Sequence, residues 1–209
     1  MKNVLVSTNP FVRDSLTHLR DKNTCIEKFR HHSDRLCELL FSEAIQGLVF
    51  KKLQICTPLI EIESEKFAEE IMIVPVLRSG TCMLFGALKL LPKAKVGFVG
   101  MVRDEKTAIA SEYYWKMPHI SQDTVVMVTD PMLATGGSIA HLLERVAKAN
   151  PKDIRIVCVL AAPEGIETIQ HTYPNIKIFT AAVDSHLNAK KYIVPGLGDY
   201  GDRYFGTEI

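Results

Sequence analysis

Apolar positions follow two different patterns along the chain, and the change falls near residue 71. Before it, Ile26, Phe29, Leu36, Leu39, Leu40 and Ala44 recur at roughly helical spacing. That spacing predicts an amphipathic helix, one that seals the main core in preference to forming a subunit contact. Thr24-Cys25-Ile26-Glu27 predicts a capping box at its start, the threonine hydroxyl accepting from the N3 amide while the glutamate reaches back. The first third thus reads as helical and then irregular. From residue 71, short and nearly continuous apolar runs occupy 71–77, 96–102, 124–129, 154–161 and 176–182. Helix-like segments at 81–90, 138–150 and 164–171 lie between several of them. Strands without polar alternation, separated by helices, predict a parallel sheet covered on both faces. The expected fold is therefore α/β, a doubly wound and mainly parallel sheet with flanking helices and ligands beyond the carboxyl ends of its strands. No repeat, low-complexity tract or Ser/Gly linker divides the chain, and 209 residues suit one domain. Within it, 1–70 forms a helical and irregular part, 71–185 the core, and 186–209 a C-terminal segment.

Charge narrows the choice of ligand. Lys plus Arg number 25 against 24 Asp plus Glu, a net charge of +1. With no basic surplus, neither nucleic acid nor an anionic membrane is an expected partner, and an anionic ligand must be held by local devices. Cys25, Cys37, Cys56, Cys82 and Cys158 are scattered without a C-x-x-C pair. This argues for free thiols in a reducing cytosol and against a zinc or disulfide framework. The seven histidines show no metal spacing; His31 and His32 are adjacent and diverge around a helix axis. The first ten residues have no signal-peptide shape and no apolar run reaches spanning length, so the expected location is cytoplasmic.

The chemistry concentrates in one loop. The run 125–129 ends in Asp130-Pro131-Met132-Leu133-Ala134-Thr135-Gly136-Gly137-Ser138 and then enters a helical segment. Paired glycines let successive amides converge on one anion, and the helix start adds N–H groups and the positive end of its dipole. Thr135 and Ser138 add hydroxyls, and Ser138 is the expected N-cap. The loop is neither G-x-x-x-x-G-K-[ST] nor G-x-G-x-x-G, and it contains no lysine. A compact phosphate monoester held by amides fits it best. The strand-end acid, Asp130, then falls to neighbouring sugar hydroxyls, so the loop calls for a ribose phosphate.

This nine-residue string resembles the phosphoribosyl pyrophosphate (PRPP) signature of type I phosphoribosyltransferases, in the form found in uracil phosphoribosyltransferases. Similarity continues in Pro75-Val76-Leu77-Arg78-Ser79-Gly80, like the family's P-x-L-R-A-G loop, and in Gly97 to Thr107, like its G-x-x-G-x-x-R-[DN]-x-x-T. It ends in Tyr192 to Thr207, like Y-I-x-P-G-L-G-D-A-G-D-[RK]-x-F-G-T. The resemblance implies a type I phosphoribosyltransferase-like fold with a flexible lid loop and a small base-binding C-terminal segment. It further implies the conversion of uracil and PRPP to UMP and diphosphate.

The resemblance also distributes roles. PRPP falls to Arg78, Arg103, Asp199 and the loop Asp130, Pro131, Met132, Leu133, Ala134, Thr135, Gly136, Gly137 and Ser138. Gly80 lets backbone approach the diphosphate, and Arg103 opens a lid spanning 103–117. Uracil falls to Ile193, Gly198, Asp199 and Tyr200, read by main-chain groups. Asp130, Arg103 and Asp199 are the catalytic set, with Asp199 also a candidate for the uracil N1 proton and an indirect ligand of Mg²⁺, the implied cofactor. A homo-oligomer is implied, with GTP a possible effector. Three residues depart from the pattern: Ser79 and Tyr200 in place of Ala, and Val102 where Tyr is frequent. Tyr200 is expected to point outward, away from the base pocket, as an exposed side chain that leaves uracil the substrate. His141 is read as packing or support, and Trp115, Tyr113 and Tyr114 as packing. Transfer to another base and a nucleotide-sensing, RNA-binding regulator are the alternatives. The C-terminal segment disfavours the first, and the balanced charge the second.

Overall fold

A computed structural model of the chain describes residues 2–103 and 110–207, apart from the side chains of Arg103 and Ala110. The chain opens with β1 (Val4–Val6), α1 (Pro10–Arg20), α2 (Ile26–Ala44) and a hairpin of β2 (Phe50–Cys56) and β3 (Glu61–Phe67). Next come β4 (Glu70–Leu77), α3 (Thr81–Leu90), β5 (Lys95–Val96), β6 (Phe98–Arg103) and β7 (Ala110–Lys116). The core is completed by β8 (Thr124–Thr129), β9 (Met132–Leu133), α4 (Gly137–Lys148), β10 (Asp153–Ala161), α5 (Pro163–Thr172) and β11 (Lys177–Val183). A short pair, β12 (His186–Leu187) and β13 (Ile193–Val194), and the helix α6 (Tyr200–Phe205) follow.

The main sheet has the order β1-β11-β10-β8-β4-β6-β7, with β5 beside β4 and β9 beside β10. Its pairings are parallel except that of β6 with β7. The continuous apolar runs are explained by parity, since alternate side chains leave a strand on opposite faces. On β4, Ile71 and Ile73 enter the core under α1, α2 and α3, while Met72, Val74 and Val76 enter the core under α4 and α5. On β8, Val125 and Met127 take the first side, Val126 and Val128 the second. Strand β4 has β6 on one flank and β8 on the other. The chain therefore reverses its progress across the sheet there, and the loops leaving β4 and β8 part to form a crevice.

Helix α2 seals the first core as its spacing predicts, burying Phe29, Leu36, Leu40, Phe41 and Ala44 completely or nearly so. Each of the large side chains contributes about 1.5–3 kcal/mol. Its start differs from expectation: Cys25 is the N-cap and makes no side-chain cap bond. Thr24 Oγ1 donates instead to the carbonyl of His18, 2.7 Å away, because the last turn of α1 leaves carbonyls that need donors. The far end of α2 is held by Arg155, whose buried guanidinium donates to the carbonyls of Ala44 and Gln46.

Residues 50–67 are not irregular. β2 and β3 pair in full register from Phe50↔Phe67 to Cys56↔Glu61, in a sheet separate from the main one. Both strands are mostly exposed, β2 interrupted by Lys51-Lys52 and β3 carrying Glu61, Glu63 and Glu65 at alternate positions, so no apolar run marked them. The segment 103–117 is likewise not all loop. β7 takes up 110–116 against β6, while 104–109 of the expected lid lie outside the described residues.

Candidate active site

The site is built at the carboxyl end of β8. Gly136 sits at φ +77° and is the N-cap of α4, which begins at Gly137, so Ser138 lies inside the first turn and does not cap it. A Cβ on Gly136 would stand 2.8 Å from the carbonyl oxygen of Gly165, and the left-handed φ already disfavours any other residue. A Cβ on Gly137 would meet only Thr135 Oγ1, 3.7 Å away, so that direction is open. First-turn amides have no acceptor within their own helix. Here they face a cleft of about 1000 Å³ lined by Met132 to Ile139 on this side.

Across the crevice stands the loop after β4. Leu77 and Ser79 line the cleft, and Ser79 Oγ is 3.3 Å from Asp130 Oδ1, which also accepts from the Met132 amide at 3.2 Å. Burial pushes the Asp130 carboxyl up to about 6; these two hydrogen bonds offset part of that effect, and the charge of Asp199 adds to it. A carboxylate held this close to neutrality gains strongly from a hydroxyl donor or a cation. Gly80 does not approach the cleft. A Cβ there would lie 2.5 Å from the Thr129 carbonyl oxygen, so this glycine serves the close passage of the loop over β8.

The third wall is C-terminal. Ile193, Gly198, Asp199 and Tyr200 line the cleft, joined by Ala189, Lys190, Lys191 and Tyr192. Asp199 is the N-cap of α6, its Oδ1 accepting from the Asp202 amide at 2.9 Å. Tyr200 does not face solvent. It is 1% exposed, donates from its hydroxyl to Ser33 Oγ on α2 at 2.6 Å, and meets the Phe29 ring edge-on at 5.2 Å. The expectation of an exposed phenol is wrong, because α2 passes over this segment and offers a buried hydroxyl as partner.

Asp130, Asp199 and the loop 132–138 thus come together with Ile193, Gly198 and Tyr200. Pro131 is buried beside them, its carbonyl accepting from the amides of Val159 and Leu160. Arg78 is not in the lining: its guanidinium pairs with Asp202 Oδ1 at 2.5 Å and donates to Thr207 Oγ1 at 3.2 Å. The Arg103 side chain lies outside the described residues. Sequence reasoning did not single out Lys190, Lys191 or Gly165. A Cβ on Gly165 would lie 2.4 Å from the Ala134 carbonyl oxygen, so α5 supports the loop after β8 from behind. Trp115 is a packing residue, stacked under Arg145 at 3.7 Å, whereas Tyr113 and Tyr114 are 62% and 44% exposed.

Comparison with known proteins identifies the family and the fold. The family profile described as uracil phosphoribosyltransferase matches residues 6–207. The uracil phosphoribosyltransferases of Oceanobacillus iheyensis and Clostridium tetani are 42% and 43% identical over 209 residues, covering both chains fully. The solved AQ2163 protein of Aquifex aeolicus superposes with a TM-score of 0.94 at 35% identity over 99% of each chain. A hypoxanthine-guanine phosphoribosyltransferase of Bacillus anthracis shares the fold, with a TM-score of 0.51 at 12% identity over 74% of this chain and 78% of its own. With the profile spanning nearly every residue and full-length relatives above two-fifths identity, the chain belongs to the uracil phosphoribosyltransferase family.

Proposed function

We propose that the chain transfers the 5-phosphoribosyl group of PRPP to N1 of uracil, yielding UMP and diphosphate. The observation that carries this reading is the juxtaposition, in one cleft, of the Gly136-Gly137 amide cradle, Asp130 and the 193–200 segment. The cradle takes the 5′-phosphate and Asp130 takes the ribose hydroxyls. The bond from C1′ to the diphosphate oxygen breaks with its electron pair leaving on diphosphate, the bond from uracil N1 to C1′ forms, and the N1 proton passes to Asp199. Positive charge on the sugar ring is opposed by Asp130. The diphosphate falls to Arg103 and to Arg78, whose release from Asp202 is then part of binding. Backbone groups at Ile193 and Gly198 to Tyr200 read uracil. A fixed N–H facing O4 would meet an amino group on cytosine donor to donor, a mismatch of about 1–3 kcal/mol.

Two carboxylates near enough for one to raise the pKa of the other suit a hard dication, and Asp199 with PRPP oxygens would hold Mg²⁺. When bound, it supplies positive charge to the leaving diphosphate. The five free thiols support a reducing cytosol, and among the described residues no helix is long and apolar enough to cross a membrane. UMP formation by the purified chain, with uracil, cytosine and hypoxanthine in competition and Mg²⁺ varied, tests the proposal. Uracil is expected to outcompete both; preference for a purine would replace this reading with the other base class.

A further inference from the structure

Helices α1 and α2 bring together three metal-ligating side chains that no part of the phosphoribosyl site uses. Asp14 and His18 stand one turn apart on α1 and therefore share a face. His32 faces them from α2, its ring stacked on that of His18 with centroids 3.9 Å apart and planes 16° from parallel. One ligand atom from each of the three lies within 4.8 Å of the others. His32 Nδ1 is buried and has no hydrogen-bond partner, an unmet polar atom of the kind that coordination satisfies. Asp14 is not consumed by its neighbours. Its Oδ2 is 3.3 Å from Arg35, an exposed and weak pair, and a carboxylate keeps a second oxygen for a metal.

We propose that Asp14, His18 and His32 form a binding site for a divalent transition-metal ion of the zinc type, which staples α1 to α2. The ligand chemistry selects the class: two imidazoles and one carboxylate suit Zn²⁺, Co²⁺ or Ni²⁺, whereas Mg²⁺ prefers an all-oxygen octahedron. Tetrahedral bonds of about 2.0–2.1 Å place donor atoms about 3.3 Å apart, so the three must draw together by side-chain rotation from the present spacing. Three protein ligands leave the fourth position to water. The neighbouring Arg35 charge weakens the site, so reversible occupancy is expected. Sequence spacing gave no sign of the site because its third ligand comes from a different helix.

The test uses the full chain carrying Cys25→Ser and Cys56→Ser, since both thiols are exposed and would take up the same ions. Calorimetry with Zn²⁺ and visible absorption with Co²⁺ are expected to show one ion per chain and imidazole-type tetrahedral bands, with a rise in Tm. His18→Gln, an exposed change, should weaken binding at least tenfold and remove the Tm rise, and His32→Gln should do the same. His31→Gln, which alters the adjacent ring, should leave affinity within about twofold. Absence of binding to the parent, equal binding after His18→Gln, or loss of binding only after His31→Gln would each overturn the assignment.

Discussion

Asp130 shows what burial does to one carboxyl. Its ordinary value of 3.8 rises to about 6, so between those pH values the native chain holds more proton than the unfolded chain. Raising the pH through that window therefore costs stability. Under the proposed function, the same ionisation creates the acceptor for ribose hydroxyls. kcat/KM for PRPP is accordingly expected to fall below about pH 6, a limb that reports the free enzyme. Asp130→Asn should abolish that limb, lower kcat/KM about 10²–10³-fold and raise Tm at pH 7; pH-rate profiles and calorimetry check both parts. Tyr200 carries a second residue-scale expectation. Tyr200→Phe removes the bond to Ser33 at about 1 kcal/mol, while Tyr200→Ala opens a buried hole at about 3–5 kcal/mol, read by urea unfolding. The sequence exposed Tyr200 as unusual but could not aim it. Its direction depends on Ser33, 167 positions earlier.

Helix α4 shows how two adjacent glycines differ in kind. Gly136 is required by its φ and by the Gly165 carbonyl, whereas Gly137 borders open space. Gly136→Ala should lower Tm, with a cost of about 1 kcal/mol or more. Gly137→Val should leave Tm nearly unchanged yet weaken ribose 5-phosphate more than tenfold, about 1.4 kcal/mol, measured by calorimetry. The sequence marked this loop clearly because paired glycines between a strand-end acid and a helix start stand out from the apolar runs around them. It also placed β8 and α3 to the residue, since a strand buried on both faces and a helix between two of them leave sharp apolar boundaries. It missed β1, three residues long at a sheet edge, and the β2–β3 hairpin, whose stability lies in cross-strand pairs instead of apolar periodicity.

At the scale of the molecule, the hairpin holds exposed apolar residues, with Leu59 and Ile60 at its tip 91% and 66% accessible. If the homo-oligomer implied by the family uses this arm, Leu59→Glu with Ile60→Glu should reduce the sedimenting mass to that of one chain without loss of Tm. An unchanged mass would place the contact elsewhere. The architecture was legible because parity splits each central strand between two cores, leaving runs such as 125–128 with no polar position toward either. What the sequence could not show is how the chain's ends are tied. Arg20 bonds Asp184 and the Gly196 carbonyl, Arg30 bonds the Tyr204 carbonyl, and Arg203 bonds the carbonyls of Leu19 and Asp21. Those bonds impose an order in time. During synthesis α1 and α2 emerge well before the groups at 184–204 that make these bonds with them. The two helices can pack on each other, on β4 and on α3 early, but these polar ties wait for the C-terminal segment, so the half-tied first core is where a holding chaperone has most to protect.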